Sequence, residues 1–469
     1  MTDPRESHLT QSDLFSWSME RDAILRSTVV SILILDTAPE VDRLMRMVGR
    51  GTRMAPRFRD RLVALPLGLA PPRWTPDTEF DLSWHVRHVA SPTPTDISAV
   101  LEFARCEAMT AFDPARPLWQ IMLLTGLSEG RAALVFKFHH ALSDGVGGIQ
   151  LANEMVDFTR AGHDRDPVPE RSTAQRRELP AIFAWNWAVG SALARGGMSR
   201  LPLLARRAVT DPIRTIRDSA AMAVSFGRLI RPITDTWSPV MTQRGLGRRL
   251  ATVDVPVAEL REAAHAADCT LNDAFLAAVI AGLRTYHARH GADIARLRVA
   301  MPVSLRKAGD PIAGNRLTLS RFALPAGHAT PADLMRALHD VIIECRSEPA
   351  LPYSAAAAAT LNRLPVGMVA AMLKHVDFVA SNVPGSPVPI YIAGAEVERM
   401  YAFGPTVGTG FNVTLISHAG TCCVGINADT AAVPDLDVLK DCLTDGFRAV
   451  VGTATASTTE AVEFSAPVV

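Results

Sequence analysis

Alternating apolar residues in the first half of the chain predict a β-strand that ends in two histidines. The segment 131–148 reads RAALVFKFHHALSDGVGG, and apolar side chains at every second position are typical of a strand. Small residues and glycines end the strand, and a helix is predicted to begin at about Val146. Because successive strand side chains point to opposite faces, only one of His139 and His140 can face a given cavity.

A second segment repeats this order of elements. Residues 119–158 read as strand, turn, strand, loop with Asp-Gly, and helix, and residues 411–447 read in the same order with similar spacing. The two halves therefore look like copies of one fold. The copy places the Ile-Asn-Ala-Asp sequence of residues 426–429 where the first half has its histidines, so we predict one catalytic centre per chain.

Both halves mix helices with hairpin-like strands, which predicts an α/β fold of two lobes with mixed or antiparallel sheets. The chain contains neither GxGxxG nor GxxxxGKS/T. These glycine-rich sequences are typical of nucleotide-binding sheets, so a doubly wound nucleotide-binding fold is disfavoured.

A charged, proline-rich segment separates the two halves. Residues 161–180, AGHDRDPVPERSTAQRRELP, lack apolar periodicity and predict a linker. Over 181–232, apolar residues interleave with arginines at helical spacing, as in helices that lie on an anionic membrane surface or that strap one lobe to the other. We therefore predict an N-terminal lobe at 1–165, a linker with amphipathic helices at 166–247, and a C-terminal lobe at 248–469.

The composition suits an intracellular enzyme with apolar or small substrates. A chain of 469 residues is long enough for two domains with separate cores. Basic and acidic residues number 48 each, which disfavours a nucleic-acid partner. Although 48% of the residues are hydrophobic, no uninterrupted apolar run reaches the roughly 18–20 residues needed to span a bilayer. Residues 1–13 lack the features of a secretion signal, and the six scattered cysteines predict reduced thiols.

The sequence HHALSDG at 139–145 resembles the HHxxxDG signature of the CoA-dependent acyltransferase superfamily. Further segments, in the same order along the chain, narrow the resemblance to the wax ester synthase/diacylglycerol acyltransferase family. They are LTQSDLFSW (9–17), PPRWTPDTEFDLSWHVRHV (71–89), RPLW (116–119), LNDAFLAAVIAGLR (271–284), MPVSLR (301–306), GNRL (314–317) and SNVPG (381–385).

The resemblance implies two lobes similar to chloramphenicol acetyltransferase, with a channel between them and the catalytic histidine at its middle. In the family the second histidine of the motif is the base, which gives His140 that role and leaves His139 to packing or hydrogen bonding. An imidazole suits acyl transfer from a thioester, because the attacking hydroxyl must lose a proton near neutral pH. Burial of both histidines as ordinary core residues is the alternative.

Asp144 and Gly145 complete the motif. The resemblance implies that Asp144 turns away from the histidine and pairs with an arginine, for which Arg306 is the candidate, and that Gly145 permits a backbone turn. The alternative is a catalytic triad in which Asp144 orients the imidazole. Loss of soluble protein in Asp144→Ala would favour the ion pair, whereas a folded, inactive variant would favour the triad.

Four polar residues in the family segments of the second half are candidates for substrate binding or for stabilising the oxyanion. They are Asn272, Asp273, Ser381 and Asn382. Asn272 and Asp273 open a helix with an apolar face, so helix capping is their alternative role. For Ser381 and Asn382 the alternative role is to form part of a tight turn.

Pro117, Leu118 and Trp119 precede a predicted strand, and their apolar side chains suit the wall of an acyl channel or a packed core. Metal binding by the histidine pair is disfavoured, because strand alternation separates the two imidazoles and no ligand cluster accompanies them.

The resemblance as a whole implies an acyl-CoA-dependent O-acyltransferase. Its acceptor would be diacylglycerol, giving triacylglycerol, or a long-chain fatty alcohol, giving a wax ester. Acyl-CoA would be a substrate, and no cofactor is expected. Without a nucleophile elbow or a cysteine beside a histidine, we predict direct attack rather than a covalent acyl-enzyme. The expected location is cytoplasmic, at the inner face of the membrane or on a lipid droplet. A carrier-protein-dependent condensation enzyme and a catalytically silent lipid-binding paralogue are the alternatives.

Overall fold

A computed structural model describes residues 8–64, 70–142, 155–163, 233–304, 317–327, 330–349 and 354–463, with isolated positions between 165 and 227. In these ranges the strands are β1 (Thr28–Leu35), β2 (Asp60–Val63), β3 (Arg73–Pro76), β4 (Val86–Thr95), β5 (Trp119–Leu127), β6 (Ala132–His139), β7 (Arg248–Pro256), β8 (Arg296–Ser304), β9 (Leu317–Pro325), β10 (Phe378–Pro384), β11 (Tyr391–Ile392), β12 (Ala395–Phe403), β13 (Phe411–His418) and β14 (Thr421–Asp429). The α-helices are α1 (Gln11–Met19), α2 (Val41–Met54), α3 (Leu82–His85), α4 (Ile97–Met109), α5 (Val257–Ala266), α6 (Leu271–Arg289), α7 (Pro331–Arg346), α8 (Ser354–Leu361), α9 (Val366–Leu373) and α10 (Leu436–Glu463).

The first sheet has the strand order β11-β12-β1-β6-β5-β4. β1 pairs antiparallel with β12 and β6, β5 pairs antiparallel with β6, and β4 pairs parallel with β5. One face of β1 is buried at alternate positions because Val30 and Ile32 pack with Val100 of α4. The strand predicted before the two histidines is confirmed as β6.

The second sheet has the order β7-β14-β13-β10-β8-β9. β10 runs parallel to β8 and β13, and the other neighbours are antiparallel. Helices α5, α6, α7 and α10 share a hydrophobic core with it, and most residues of α6 are buried. Both sheets combine parallel and antiparallel pairing, so the predicted mixed α/β fold is confirmed.

Two strands from the second half of the chain belong to the first sheet. β12 pairs with β1, and β11 pairs with β12. This pairing uses the backbone groups of β1 that would otherwise form an open sheet edge. The predicted division at residue 248 therefore does not separate the two sheets, because the second half supplies its own sheet and two strands of the first.

Matching hydrogen bonds relate the two halves. β6 ends at His139 and β14 ends at Asp429, and each faces the first residue of its antiparallel neighbour. In the first half the N–H of Ala141 donates to Nδ1 of His139 at 3.0 Å. In the second half the N–H of Ala431 donates to Oδ1 of Asp429 at 2.9 Å. The histidine pair therefore matches Asp429 and Thr430, and neither position holds an imidazole. The predicted stretch 426–429 overlaps this match only at Asp429.

Among the described residues, no single helix is both long and apolar enough to cross a membrane. α5 and α6 pass that test only when they are taken together, and they are bent by 95° at the break between them.

All six cysteines are free, and five of them are buried.

Candidate active site

The ring of His139, at the end of β6, is enclosed and hydrogen-bonded on both nitrogens. His139 is fully buried, edge-on to Trp17 and Phe112, with ring centroids 5.6 and 6.1 Å away. The N–H of Ala141 donates to Nδ1 at 3.0 Å, so the proton of the neutral ring is on Nε2, which lies 3.1 Å from Oε1 of Glu20. These contacts fit the packing and hydrogen-bonding role expected of His139.

Sequence reasoning missed Glu20, which is 119 positions from His139. Its only sequence signal is its place just after the family segment LTQSDLFSW. Oε1 of Glu20 also accepts the N–H of Ser27 at 2.7 Å. Burial alone would raise the pKa of Glu20, but the hydrogen bonds that its carboxylate accepts from His139 and from the N–H of Ser27 outweigh burial and hold that pKa below its usual range. Glu20 is therefore an ionised, half-buried acceptor.

His140 lies on the turn after β6 and is partly exposed. Its N–H donates to the carbonyl of Ser27 at 3.0 Å, and the N–H of Leu142 donates to the carbonyl of His139 at 2.9 Å. The two histidines thus differ in access, because solvent reaches His140 and does not reach His139.

The rest of the motif cannot be placed against these histidines. Asp144, Gly145 and Arg306 lie outside the described residues. The ion pair and the backbone turn stay predictions.

A cavity of about 170 Å³ lies between the lobes, close to this turn. Arg26 and Thr28 line it from the first lobe, and Arg248 and Asn427 line it from the second. Thr28 is the residue of β1 that faces His139. Three lining side chains carry a buried polar atom without a hydrogen-bond partner among the described residues: Nε of Arg26, Oγ1 of Thr28 and Oδ1 of Asn427. The cavity therefore offers both donors and an acceptor to a polar ligand group.

The Pro117–Trp119 segment lies in the core beneath the histidine turn. All three residues are buried, and the carbonyl of Leu118 accepts the N–H of His139 at 2.9 Å. The indole N–H of Trp119 donates to the carbonyl of Phe58 at 2.7 Å, and its ring stacks on His85. The contacts are those of a packed core that supports β6, and a role in the acyl channel stays a prediction.

Asp273 caps the start of α6. Its carboxylate accepts the N–H and O–H of Thr270, while Oγ1 of Thr270 accepts the N–H of Asp273. Nδ1 of His339 donates to the same Oδ2 at 2.8 Å. Within the described ranges, Cys269, Asp273 and His339 form a group whose ligand atoms lie within 4.8 Å of one another. Oδ2 of Asp273 already accepts three hydrogen bonds. Two of them come from Thr270 and are those of a helix cap, the alternative role predicted for Asp273.

Asn272 and Asp273 lie at the first turn of α6, whereas the other end of this helix lies near the end of β14, where the cavity is. The hydroxyl of Tyr286 donates to Asp435, just beyond the end of β14. The 13 residues from Asp273 to Tyr286 rise about 20 Å. The amide nitrogen of Asn272 is buried without a partner among the described residues, but no contact links it to the histidine turn.

Ser381 and Asn382 belong to β10 rather than to a tight turn, since they pair in parallel with β13. β10 ends at Pro384, and the bend follows at residues 387–388. At Gly385, directly after the strand, an added Cβ would lie 2.2 Å from the carbonyl oxygen of Ser417. The predicted turn was thus misplaced, because the Asn, Pro and Gly residues that suggested it stand at a strand end. Contact of either side chain with the oxyanion stays a prediction.

The comparisons with family models cover most of the chain. Residues 9–275 match the wax ester synthase/diacylglycerol acyltransferase catalytic domain, and residues 313–450 match the WS/DGAT C-terminal domain.

Individual relatives agree with these models. A protein of Mycobacterium tuberculosis named as a diacylglycerol O-acyltransferase is 33% identical over 447 residues, covering 92% of this chain and 88% of the relative. Another so named from the same species is 25% identical, covering 95% of this chain and 96% of the relative.

Solved structures show the same fold. The wax ester synthase/diacylglycerol acyltransferase from Marinobacter aquaeolei VT8 superposes with a TM-score of 0.62 at 23% identity, covering 96% of this chain and all of that chain. The first condensation domain of the CDA synthetase superposes with a TM-score of 0.61 at 17% identity, covering 96% of both chains.

Proposed function

Because the chain belongs to the wax ester synthase/diacylglycerol acyltransferase family and is an acyltransferase, we propose that it moves a long-chain acyl group from acyl-CoA to diacylglycerol or to a long-chain alcohol. The observation that carries the proposal is the setting of His140. His140 is partly exposed, and it stands on a turn fixed by backbone hydrogen bonds. This turn directly follows His139, the β6 residue that pairs with Thr28 of the cavity lining.

In the proposed reaction His140 is the general base. It takes the proton of the acceptor hydroxyl while that oxygen attacks the thioester carbon. The tetrahedral intermediate then breaks its C–S bond, and the departing CoA thiolate receives the proton from the imidazolium. The products are an ester and free CoA, so no covalent acyl-enzyme is needed. An imidazole suits both proton transfers because it titrates near neutral pH.

The unpartnered atoms of the cavity support acyl-CoA as the donor. The arm that carries the thioester contains secondary amides, each with one N–H and one carbonyl. Nε of Arg26 and the hydroxyl of Thr28 can donate to such a carbonyl, and Oδ1 of Asn427 can accept the N–H. Arg248 already pairs with Asp429 at 3.2 Å, so its own charge is compensated without a ligand.

The names of the relatives support diacylglycerol as an acceptor, and the family description supports a fatty alcohol as well. Both acceptors carry long apolar chains, whose burial contributes about 0.8 kcal/mol per methylene. Triacylglycerol or a wax ester, both storage lipids, would be the product.

We place the enzyme at the inner face of the membrane or on a lipid droplet, because both acceptors reside in lipid. The arginine-rich stretch 181–232, most of which lies outside the described residues, has the composition of surface-binding helices. Flotation with anionic vesicles should carry the protein upward. Retention at the bottom at low salt would contradict this location.

The proposed activity is tested with purified protein and labelled palmitoyl-CoA, offered with dioleoylglycerol or hexadecanol in separate reactions. Labelled triacylglycerol or wax ester is the expected product, and the relative rates rank the two acceptors. Labelled palmitoyl on an acyl carrier protein is the comparison donor. Transfer from the carrier alone would favour the condensation-type alternative, and transfer from neither donor would favour a silent lipid-binding protein.

A further inference from the structure

One carboxylate is the common end of the hydrogen bonds that hold His140. We propose that Glu20 is a positioning residue, which fixes the turn carrying His140 by holding His139 in a single tautomer. This inference rests on the proposed role of His140 as the base.

Two hydrogen-bonded paths begin at Oε1 of Glu20. The first runs through Ser27, whose N–H donates to Glu20 at 2.7 Å and whose carbonyl accepts the N–H of His140 at 3.0 Å. The second runs through the ring of His139, with Nε2 at 3.1 Å from Glu20 and Nδ1 accepting the N–H of Ala141 at 3.0 Å. The backbone at His140 and just after it is therefore tied to one half-buried carboxylate.

Glu20 decides which nitrogen of His139 holds the proton. An ionised carboxylate only accepts hydrogen bonds, so it requires a proton on Nε2. A neutral imidazole then has a free lone pair on Nδ1, which is what the N–H of Ala141 needs. Without Glu20 the ring could carry its proton on Nδ1 instead. Two donors, the Nδ1–H of His139 and the N–H of Ala141, would then face each other, and the turn would lose this hydrogen bond.

The second lobe holds the matching turn without an imidazole. Oδ1 of Asp429 accepts the N–H of Ala431 at 2.9 Å, and the N–H of Gly245 donates to the same carboxylate. The turn therefore needs an acceptor at this position rather than a particular ring. His139→Asn supplies that acceptor through Oδ1, and it offers Nδ2 as a donor towards Glu20.

The test compares four single variants and one double variant in steady-state kinetics with palmitoyl-CoA and dioleoylglycerol. Glu20→Ala and His139→Leu should each lower kcat about 100-fold, the scale expected of a misplaced catalytic group, with KM changed less than about twofold. Glu20→Gln and His139→Asn keep an acceptor in place and should retain at least about a tenth of kcat. The double variant Glu20→Ala/His139→Leu should fall no lower than the worse single variant, because both break the same path.

Glu107→Ala is the matched control. Glu107 accepts a hydrogen bond from Lys137 at 3.3 Å. Lys137 lies on β6, two residues before His139, and Glu107 takes no part in the turn. This variant should lower the melting temperature and leave kcat unchanged. A Glu20→Ala variant with full kcat, or with a loss no larger than that of Glu107→Ala, would overturn the proposal. Equal losses in Glu20→Gln and Glu20→Ala would also overturn it.

Hydrogen exchange gives a readout that does not need activity. The Ala141 amide should exchange faster in Glu20→Ala and His139→Leu than in the wild type, and at the wild-type rate in Glu20→Gln. If the wild type makes no ester, the proposed function fails, while the exchange rates still decide whether Glu20 holds the turn. If Glu20→Ala does not fold, the two His139 variants provide the same comparison.

Discussion

The Arg248–Asp429 ion pair joins buried charges at the boundary between the lobes, and its removal is the sharpest stability test of the fold. Nη1 of Arg248 lies 3.2 Å from Oδ2 of Asp429, with 9% and 0% of the two side chains exposed. Nη1 also donates to the carbonyls of Gly245 and Gly247, and Nη2 donates to the carbonyl of Ile24 in the first lobe at 3.3 Å. Burial lowers the pKa of Arg248, which indicates that its charge needs this partner.

Breaking a buried pair on one side leaves an uncompensated charge. Arg248→Met and Asp429→Asn should each lower the free energy of unfolding by about 3–5 kcal/mol. The double variant should lose less than the sum of the two single losses, because no lone charge remains. The coupling free energy should reach about 2 kcal/mol, within the range for groups in direct contact.

Urea unfolding followed by tryptophan fluorescence measures all four proteins of this cycle. The control is Arg249→Met, which breaks the exposed pair between Arg249 and Asp437 at 3.0 Å and should cost about 1 kcal/mol or less. An Arg248→Met variant as stable as this control would show that the buried ion pair does not stabilise the fold. So would a double variant whose loss equals the sum of the single losses.

Three further perturbations test other parts of the structure. Burial raises the pKa of Asp13 from 3.8 to about 6, so the folded state binds this proton before the unfolded state does as the pH falls. Relative to Asp13→Asn, the wild type should therefore gain up to about 3 kcal/mol of unfolding free energy between pH 7 and pH 4. Equal pH profiles of the two proteins in urea titrations would contradict this. Gly385→Ala should lower the free energy of unfolding by about 1–3 kcal/mol, because its Cβ would lie 2.2 Å from the carbonyl oxygen of Ser417. The control is Gly367→Ala, whose Cβ meets no atom within 4 Å. Equal melting temperatures of the two variants would exclude the clash. Thr270→Ala removes the cap of α6 and should cost about 1 kcal/mol in urea unfolding, so an unchanged midpoint would remove the capping role.

Local pattern was enough to predict the elements around the site. The alternation before His139 predicted β6, and the apolar face after Asn272 predicted α6, because both signals lie within one element. The duplication was also readable from the order of strands, although matching backbone bonds were needed to align His139 with Asp429.

Contacts between distant segments could not be read in this way. Nothing in the pattern near Glu20 points to a histidine 119 positions later, and a strand pattern does not say which sheet it joins, as the pairing of β12 with β1 illustrates. The apolar character of Trp119 suited a channel wall and a core equally well. Packing against Phe58 and His85 became visible only in three dimensions.

The proposed reaction depends on the imidazole of His140 taking the proton of the acceptor hydroxyl. The most direct measurement is the single-turnover rate of ester formation from enzyme-bound palmitoyl-CoA in the wild type and in His140→Ala. General base catalysis typically contributes about 10²–10⁴-fold, so the variant should be slower by that factor while its melting temperature and its affinity for palmitoyl-CoA stay unchanged. Ester formation by His140→Ala at the wild-type rate would show that His140 is not the base.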